Sequence, residues 1–533
     1  METPPRQLYD LSMTAIISLA LVGLYTGASV HGRPYWVFFT DKGPVGPADY
    51  DQAWASLSER AQSRRLKHNF TVGFGDLPVF QDYISRITEL GPVFIGSSRW
   101  LNGSAFWIDD ASISEIEALP FVREVRPVAR MASPEIRIMG SGSPKWDPSQ
   151  YGLSYHQAAM MQVPWAHDQG YDGSGVLIGF LDTGYHIKPG DRHHAFDSMR
   201  VIARWDFING DTVVWDESGD PWGQDFHGSI CLATVGGYWP GEFIGIAPRA
   251  QFALAKTEDI GDEQPIEEVW YVQGLEWLEG LGCDLTSSSL GYIDWYDYSD
   301  LDGDHAVTTV AVDSAAERGL LCVTAMGNSG PMPGTLIAPA DADSCISVAA
   351  VDSDSVVTDF SSRGPTYDGR IKPELAAQGS TTYSVDPYST NWYDYYGGTS
   401  LATPLIAGVA ALLIQARPTL TNMEVRQILM ETASNAASPN NDIGWGVPNI
   451  RAAIEAAVGE SGGAAPTPGF RLVGHTLIVN AEKTGALSVY DVAGRAVFFR
   501  DLDKGENRLS LYGLGTGVYF LRAPGTAGKF VLK

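Results

Sequence analysis

Four polar residues stand at positions where the chain could perform chemistry: Asp182, His227, Asn328 and Ser400. They lie in the segments FLDTG, DFHG, TAMGNSG and GGTSLATPLIAG, each at the expected end of a strand or start of a helix. Each residue alone has an ordinary structural explanation, because Asp and Ser cap helices, Asn beside Gly forms turns, and a single His is often structural. Their occurrence together in one chain indicates that the four residues take part in one reaction.

Acyl transfer accounts for the whole set. A serine hydroxyl such as that of Ser400 is a weak nucleophile at neutral pH and needs a base within hydrogen-bond reach, which His227 can supply. A carboxylate such as Asp182 fixes the imidazole tautomer, and an amide such as that of Asn328 can donate to the oxyanion of the tetrahedral intermediate. The order Asp, His, Ser along the chain is one of the known arrangements of such a triad, and Ser400 lacks the G-x-S-x-G turn of another.

These residues need a scaffold that gathers distant segments at one edge. From about residue 162 the sequence alternates apolar runs of strand length with helical periods, which predicts a doubly wound, mostly parallel sheet of the α/β class. In such sheets ligands bind at the carboxyl ends of the strands. The predicted strands are 176–181, 284–290, 320–325 and 346–351, and the predicted helices are 268–280, 307–318, 401–415 and one capped by Thr421 and Glu424.

Composition limits the other possibilities. A chain of 533 residues that is 44% hydrophobic can bury more than one core. The net charge of −27 argues against nucleic acid as a main partner. Four cysteines are too few for a scaffold built on disulfides.

The chain begins with a candidate export segment. Leu11–Val30 carries no charge, and small residues close it, so residues 1–30 are predicted to be a signal peptide cleaved within 28–32. The alternative is an uncleaved membrane anchor, since twenty residues can span a bilayer. No later segment is long and apolar enough to span one.

Residues 33–130 predict a small α+β unit. Strands are expected at 35–39, 105–108 and 122–128, a helix at 79–90, and a capping box at Ser112 and Glu115. Residues 131–160 lack a regular pattern and are rich in Ser, Pro and Gly, so they are predicted to be a linker.

The C-terminal part has a different character. Residues 458–470 form a Gly- and Pro-rich linker, and 471–533 show short alternating strands separated by Gly turns, which predicts a small antiparallel β-sandwich. The expected strands are 487–490, 496–500, 508–511, 518–522 and 530–532.

The catalytic segments, over about 155–457, resemble those of subtilisin-like serine proteases (subtilases). The resemblance implies a three-layer α/β/α catalytic domain at 161–457 and a secreted endopeptidase that needs no cofactor for its chemistry and acts on proteins or peptides. It also implies that Ser289, Leu290 and Gly291, in the segment SSSLG, line the substrate cleft. The segments 292–298 and 383–396, rich in Tyr and Trp, are candidates for the same cleft.

Departures from the family pattern concern neighbours of His227. The usual second His of H-G-T-H is Ile230 here, and the Thr is Ser229, which leaves the catalytic set intact. Cys231 takes the place of a buried free cysteine in some members. By the same resemblance, Cys322 and Cys345 begin adjacent strands and could form a disulfide, which geometry decides.

Two further resemblances concern the flanking parts. Residues 33–130 resemble a subtilase propeptide, which assists folding and then inhibits, and this implies self-cleavage between about Arg130 and Tyr155. Residues 471–533, with LSVYDVAGRAV, LSLYGLGTGVYFLR and the final KFVLK, resemble the sorting domain of the type IX secretion system of Bacteroidetes-like bacteria. That resemblance implies export across the outer membrane by the secretion machinery, followed by release or surface attachment; the alternative is a generic β-sandwich appendage.

A structural Ca²⁺ ion is a further possibility. Asp300, Asp302 and Asp304 in DLDGD alternate as oxygen ligands for Ca²⁺ do, and the alternative is a solvated acidic loop. For the whole protein the leading hypothesis is a secreted serine endopeptidase made as a self-processing zymogen. The alternatives are a catalytically silent surface binding protein on the same scaffold and a processing protease with few substrates.

Overall fold

The computed structural model describes residues 32–131, 137–138, 150–261, 266–294 and 296–459, and, in the C-terminal part, 469–473, 476–481, 483–490, 496–511, 517–523 and 526–532. The predicted signal peptide lies outside these residues. The chain divides into two compact units between Ile450 and Arg451. Each unit is described by itself.

The N-terminal subdomain, residues 32–127, belongs to the first unit and is an α+β fold. Its helices are α1 (Pro47–Ala55), α2 (Glu59–Lys67), α3 (Gln81–Thr88) and α4 (Ile113–Glu117), and its strands are β1 (Arg33–Phe39), β2 (Val93–Ser98), β3 (Gly103–Ile108) and β4 (Val122–Pro127). The sheet is antiparallel in the order β2-β3-β1-β4. The predicted strands at 35–39, 105–108 and 122–128 are confirmed as β1, β3 and β4, whereas β2 was not predicted.

The predicted capping box at Ser112 is wrong. Ser112 makes no side-chain cap to α4, because a short 3₁₀ turn, Asp110–Ser112, precedes the helix. Asp109 caps that turn instead, and its carboxylate accepts a hydrogen bond from the backbone N–H of Ala111 at 3.1 Å. The second predicted capping box, at Thr421 and Glu424, is confirmed at the start of a later helix.

Strand β1 is buried on both faces, and the alternation of its side chains divides them between two cores. Tyr35, Val37 and Phe39 pack into the core of the subdomain itself. Trp36 and Phe38 point the other way and join the core of the main domain. The sheet therefore covers part of the main domain, residues 150–450, with a large aromatic surface.

The main domain and the segment leading to it hold most of the chain's elements. The strands are β5 (Arg130–Met131), β6 (Arg137–Ile138), β7 (Leu177–Asp182), β8 (Arg200–Asp206), β9 (Tyr238–Trp239), β10 (Phe243–Ile244), β11 (Gln251–Lys256), β12 (Leu285–Ser288), β13 (Tyr292–Asp294), β14 (Leu321–Ala325), β15 (Ile346–Val351), β16 (Leu375–Gln378), β17 (Thr382–Val385) and β18 (Tyr393–Gly397). The helices are α5 (Tyr155–Ala159), α6 (Val163–Asp168), α7 (Phe226–Gly236), α8 (Glu267–Leu281), α9 (Val307–Glu317), α10 (Thr399–Ala416) and α11 (Asn422–Glu431).

A seven-stranded sheet in the order β16-β15-β14-β12-β7-β11-β8 forms the middle layer, and its pairs are all parallel. Strand β7 shows how the helices cover both faces. A Cβ on Gly179 would meet Leu278 of α8 at 2.8 Å, whereas Asp182, on the opposite face, meets α7 through His227. Helix α10 packs on α7 and on four strands of this sheet, while α8 packs on α9. The predicted α/β class and its three layers are confirmed.

Helix α10 is predominantly apolar. Among the described helices it alone is long and apolar enough to cross a membrane, with a mean hydropathy of 1.6, and 89% of it is buried. By length and composition, therefore, the prediction that no segment after the N-terminal one could span a membrane is wrong. The reason for this composition is the position of the helix, since it packs on β12, β14, β15 and β16 in the middle of the domain. An all-round apolar helix of this kind is the core helix of a layered domain.

The four cysteines are free thiols, and all four are buried. Cys322 and Cys345, considered as a disulfide pair, are not bonded to each other. The sulfur of Cys345 contacts the ammonium of Lys372 and the carbonyl of Ala342, each at 3.4 Å. Burial raises the pKa of Cys322 to about 12 and that of Cys345 to about 11, so both stay protonated at neutral pH.

A buried ionic cluster joins the N-terminal subdomain to the main domain. Arg64 and Arg65 of α2 donate to the carboxylate of Glu279 on α8, with 2.7 Å between Arg65 Nη2 and Glu279 Oε2. Asp76 of the subdomain accepts hydrogen bonds from Arg65 at 2.9 Å and from Arg318 of the main domain at 2.8 Å. Side chains in this cluster are at most 4% exposed, so charges of both domains compensate each other away from water.

Two short strand pairs lie beside the region where the predicted chemical residues gather. In β5, Met131 pairs with Tyr292 and Arg130 with Asp294 of β13, antiparallel. In β6, Arg137 pairs with Gly397 and Ile138 with Tyr396 of β18, also antiparallel. Met131 of β5 and both residues of β6 lie within 131–160, where a patternless linker was expected, because strands of two residues leave no periodicity in a sequence.

The second unit, from Arg451, is a small β-sandwich. Helix α12 (Ile450–Gly459) precedes the strands β19 (Gly469–Val473), β20 (Thr476–Ala481), β21 (Gly485–Tyr490), β22 (Ala496–Leu502), β23 (Gly505–Ser510), β24 (Gly517–Ala523) and β25 (Thr526–Leu532). The sheets are β19-β20-β23 and β22-β21-β24-β25, with antiparallel pairs. Side chains of both sheets share one core, as with Leu477, Val479, Leu487 and Val489. The predicted sandwich is confirmed, and β19 and β20 are strands that the sequence did not predict.

Candidate active site

Asp182 and His227 meet between the middle sheet and α7. Asp182 is the last residue of β7, and His227 is in the first turn of α7. His227 Nδ1 lies 2.7 Å from Asp182 Oδ1, and both side chains are almost fully buried. Gly228 permits this approach, because a Cβ there would come within 2.2 Å of the Gly184 carbonyl oxygen.

The carboxylate sets both the tautomer and the basicity of the imidazole. Burial alone would lower the pKa of His227, but the adjacent Asp182 carboxylate outweighs it and holds that pKa well above its usual value. When neutral, His227 donates Nδ1–H to Asp182 and keeps Nε2 as a proton acceptor. The pair thus has the arrangement of an oriented general base.

Ser400 sits in the first turn of α10, as predicted from the GGTS turn. Strand β18 ends at Gly397, and Gly398 has a φ of 144° that favours glycine before the helix begins at Thr399. The hydroxyl of Ser400 donates to the carbonyl of Ser289 at 3.4 Å. In return, the Ser289 hydroxyl donates to the Ser400 carbonyl at 2.8 Å.

Cys231 links the serine to the histidine. Its sulfur lies 3.3 Å from the carbonyl oxygen of Ser400 and 4.0 Å from Nε2 of His227. His227 and Ser400 therefore both contact the same buried thiol. Burial raises the pKa of this thiol above its ordinary value. Among the described residues the Ser400 hydroxyl bonds to Ser289 rather than to His227. Such nucleophile–base contacts are often loose until a substrate binds.

Asn328 follows β14 and is oriented by the residue before Ser400. Its Oδ1 accepts hydrogen bonds from the backbone N–H of Thr399 at 2.9 Å and from the Thr399 hydroxyl at 3.1 Å. With Oδ1 engaged in this way, Nδ2 is the group that Asn328 can offer to an anion. Sequence reasoning gave no role to Thr399, although it is the Thr of the GGTS segment.

The residues expected to line the cleft lie at the end of β12. Ser289, Leu290 and Gly291 are buried and follow Ser288, the last residue of β12. A Cβ on Gly291 would meet Ile337 at 2.1 Å, so the glycine allows close packing on one side. Tyr292 comes next and pairs with Met131 of β5, which places the segment that follows the N-terminal subdomain along this edge.

The tyrosine-rich segment 383–396 lies in the hairpin β17–β18. Tyr383 and Tyr393 stack on each other at 5.3 Å between ring centroids. Tyr393 also stacks on Phe243, whereas the ring of Tyr383 is tilted by 40° to that of Phe243. Tyr388 differs, because its hydroxyl donates to Asp225 at 3.1 Å, two residues before His227.

The acidic residues considered for Ca²⁺ do not gather into one site. The carboxylate of Asp300 accepts the backbone N–H of Asp297 at 2.9 Å, and that of Asp302 accepts the N–H of Asp304 at 3.0 Å. These are local turn contacts. Among the described residues, the acidic group close enough to share an ion is Asp206, Asp211 and Glu217. There, however, the Lys256 ammonium lies 2.8 Å from Asp206 and supplies the positive charge.

Comparison with known proteins agrees with this geometry. Residues 173–446 match the model of the subtilase family, described as Peptidase_S8, and residues 34–138 match that of the Peptidase S8 propeptide domain of Bacteroidota. The alkaline protease of Alkalihalobacillus alcalophilus is 31% identical over 406 residues, which are 75% of this chain and 94% of that protein. Subtilisin DY of Bacillus licheniformis is 31% identical over 310 residues, 57% of this chain and 98% of that protein.

A solved structure extends the agreement in fold. Fervidolysin from Fervidobacterium pennivorans superposes with a TM-score of 0.58 and 18% identity, covering 92% of this chain and 70% of that one. The chain belongs to the subtilase family. It is a subtilisin-like serine endopeptidase with a propeptide domain, made as a zymogen, and the predicted enzyme class is confirmed.

Proposed function

We propose that Ser400 is the nucleophile, His227 the general base, Asp182 its orienting carboxylate and Asn328 an oxyanion donor. The observation that carries this proposal is the buried 2.7 Å contact between His227 and Asp182, with Ser400 joined to the same cluster through Cys231. A buried carboxylate–imidazole pair beside a helix-terminal serine is suited to nucleophilic acyl transfer.

The proposed reaction proceeds through an acyl-enzyme. His227 Nε2 takes the proton of the Ser400 hydroxyl while Oγ attacks the carbonyl carbon of the substrate, and Asp182 stabilises the imidazolium. The Asn328 side chain and the Ser400 backbone N–H stabilise the oxyanion. The C–N bond then breaks as His227 protonates the leaving amine. Water, activated by His227, hydrolyses the ester and restores Ser400.

We also propose that Ser289, Leu290 and Gly291 bind extended peptide substrates. The support is their position, since Ser289 contacts Ser400 and the adjoining Tyr292 already pairs with an extended segment, β5. An extended chain gains main-chain hydrogen bonds along such an edge, while side chains supply specificity. The substrates proposed are proteins and peptides.

The flanking segments support export. The proposed boundaries are a signal peptide at 1–30, a propeptide at 33–130, a maturation region at 131–160, a catalytic domain at 161–457, a linker at 458–470 and a sorting domain at 471–533. The proposed route is secretion through the outer membrane by the type IX machinery, to the medium or the cell surface. Supporting features are the apolar N-terminal segment, the Bacteroidota propeptide match and the separate C-terminal sandwich.

A serine-directed phosphonate tests the proposed nucleophile. The matured wild-type enzyme should gain the mass of one phosphonyl group on the peptide containing Ser400, because only an activated hydroxyl attacks phosphorus readily. The Ser400→Ala chain, prepared in parallel, should gain none. A wild-type enzyme that stays unlabelled would instead support a catalytically silent scaffold.

The raised pKa of His227 predicts an alkaline pH profile. Only neutral imidazole can accept the Ser400 proton, so kcat/KM should rise with pH as His227 loses its proton. Because Asp182 raises that pKa above 6.5, half of the maximal kcat/KM should be reached above pH 6.5. The measurement is kcat/KM of the matured enzyme on an uncharged peptide anilide between about pH 5 and 10.

His186 provides a matched control for this profile. It forms a second imidazole–carboxylate pair, with 2.7 Å between His186 Nδ1 and Asp225 Oδ2. The His186→Gln variant should keep the same midpoint. A midpoint that moves in this variant would contradict the assignment of the rise to His227.

A further inference from the structure

A row of aromatic rings runs outward from the strand that leads into the Ser400 turn. Tyr396 of β18 contacts Phe226 with 5.9 Å between ring centroids. Phe226 contacts Tyr388 at 5.7 Å, and Tyr388 contacts Trp222, also at 5.7 Å. Tyr396 is buried and Phe226 half-buried, whereas Tyr388 is 39% and Trp222 86% exposed. These four residues, called here the aromatic row, connect the nucleophile's turn to solvent.

The outer end of the aromatic row rests on a hydrogen-bonded frame. The hydroxyl of Tyr388 donates to the carboxylate of Asp225 at 3.1 Å. The Asp216 carboxylate accepts the backbone N–H of Asp225 at 2.7 Å and that of Gly223, the residue after Trp222, at 3.3 Å. The segment that carries Trp222 is therefore held in place, while most of its large ring is open to solvent. Exposed rings on a fixed backbone are suited to binding, because little conformational entropy is lost on contact.

Acidic groups surround this outer end. Burial raises the pKa of the Tyr388 hydroxyl, and the nearby carboxylates of Asp225, Asp216 and Asp386 raise it further. His186, with Nδ1 2.7 Å from Asp225, can compensate one of these three charges. The outer end of the aromatic row thus combines ring faces with an excess of negative charge.

The aromatic row lies on the side of the leaving group. In the proposed reaction His227 protonates the departing amine, and Phe226 directly precedes His227 in α7. The residues proposed to bind extended peptide, Ser289 to Gly291, belong to a different edge, after β12. Strand β18 accepts an extended segment, since Tyr396 pairs with Ile138. A substrate that continues beyond the scissile bond along β18 therefore passes the aromatic row.

We propose that Trp222 and Tyr388, at the outer end of the aromatic row, bind a cationic side chain, Arg or Lys, on the part of a protein substrate that follows the scissile bond. This inference rests on the proposed function and narrows its substrate class. A cation is attracted to the face of an aromatic ring, and the neighbouring carboxylates strengthen that attraction. The planar guanidinium of Arg can also stack on the Trp222 ring. An apolar side chain would gain the contact with the rings but not the attraction to the carboxylates.

The experiment compares peptides that carry Arg, citrulline or Phe at each of the first three positions after the scissile bond in turn. Citrulline has nearly the shape of Arg without its charge, so the ratio of kcat/KM for Arg over citrulline measures the effect of charge. With matured wild-type enzyme this ratio should be about 5 at one of the positions, and it should fall in about 0.5 M salt. A ratio near 1 at all three positions would overturn the inference. A higher kcat/KM for Phe than for Arg at each of them would also overturn it, in favour of an apolar occupant.

Variants of Trp222 test where the preference arises. Trp222→Ala should lower the ratio of Arg over citrulline to about 1–2, and Trp222→Phe, which keeps a ring, should give an intermediate ratio. Trp392→Ala is the matched control, since Trp392 is 63% exposed on the same β17–β18 hairpin as Tyr388 but outside the aromatic row. It should keep the wild-type ratio. Equal ratios in the two alanine variants would overturn the inference, and a loss of folded enzyme would not change a ratio measured between two substrates.

Failure of this inference can be told apart from failure of the proposed function. A wild-type enzyme that reacts with the phosphonate and hydrolyses the Arg and citrulline peptides equally overturns the inference alone. An enzyme that neither reacts with the phosphonate nor hydrolyses any of the peptides overturns the proposed nucleophile and this inference with it.

Discussion

Replacement of Ser400 by alanine should lower kcat for peptide hydrolysis roughly 10⁶-fold. Alanine removes the only atom that would form the acyl bond, while the contact between His227 and Asp182 remains. The variant should fold normally, because the space left by one hydroxyl is small and the carbonyl of Ser400 keeps its bonds to Ser289 and Cys231. The measurement is kcat on casein and on a peptide anilide, with enzyme matured in trans.

Graded variants separate the individual roles. Asp182→Asn should cost about 10⁴ in kcat through the wrong imidazole tautomer. Asn328→Ala should cost about 10²–10³, because one oxyanion donor is lost while nucleophile and base stay in place. Asn328→Ala should still react with the phosphonate.

The members of the proposed triad should act as a unit, so the effects of their substitutions should not add. The double variant Ser400→Ala with Asp182→Asn should be no slower than Ser400→Ala alone. Residual hydrolysis by Ser400→Ala at even one hundredth of the wild-type rate would contradict the assignment of Ser400 as nucleophile.

The second large effect concerns the buried ionic cluster that joins the N-terminal subdomain to the main domain. Glu279→Gln should weaken the hold of the cleaved N-terminal fragment by about 3–5 kcal/mol, because it leaves Arg64 buried without a carboxylate and Arg65 with Asp76 alone. The dissociation constant should then rise roughly 10²- to 10⁴-fold. The measurement is the fraction of fragment that remains bound on gel filtration, together with the activity released.

Glu276→Gln is the matched control, on the same helix and with the same chemical change. Glu276 pairs with the partly exposed Arg99 at 3.4 Å, and glutamine keeps an oxygen to accept from Ser98. A partly exposed pair contributes at most about 1 kcal/mol, so fragment binding should change only a few-fold. Equal losses in the two variants would contradict the role given to the buried cluster.

The same cluster predicts the effect of acid. Burial alone would raise the pKa of Asp76, but Arg318 and Arg65 lower it to about 2, and Arg64 and Arg65 likewise lower the pKa of Glu279. Carboxylates with lowered pKa values stabilise the folded complex above their ordinary pKa and lose that contribution as pH falls toward the lowered value. In the wild-type protein the fragment should therefore stay bound at pH 5. In the Glu279→Gln variant it should be dissociated at the same pH.

The candidate catalytic residues could be proposed from the sequence because each lies next to a strong local pattern. The apolar run of β7 ends at Asp182, and the glycine pair before Ser400 marks the turn into α10. The order Asp, His, Ser along the chain then limits which known catalytic arrangements fit. The partner of each residue could be proposed from chemical need alone, before any distance was known.

Other features depend on contacts that leave no local pattern. Strands β5 and β6 have two residues each, so their pairing arises from the edges they meet and not from periodicity. The role of Thr399 depends on where Asn328 arrives in space. The DLDGD loop shows the opposite case, because its spacing suits Ca²⁺ while its carboxylates cap turns. Tertiary contacts determine the pairing of β5 and β6, the role of Thr399 and the role of the DLDGD carboxylates.

The pairing of β5 with β13 inside one polypeptide has a consequence for when activity appears. Before the N-terminal subdomain is cleaved from the main domain, the covalent link gives β5 an effective concentration at the cleft that is typically of millimolar order. After cleavage, the occupancy of the cleft by β5 depends on the concentration of the N-terminal fragment relative to its dissociation constant. A crowded preparation then remains inhibited, whereas dilution frees the cleft. For an exported protein, entry into a large external volume would itself complete the activation.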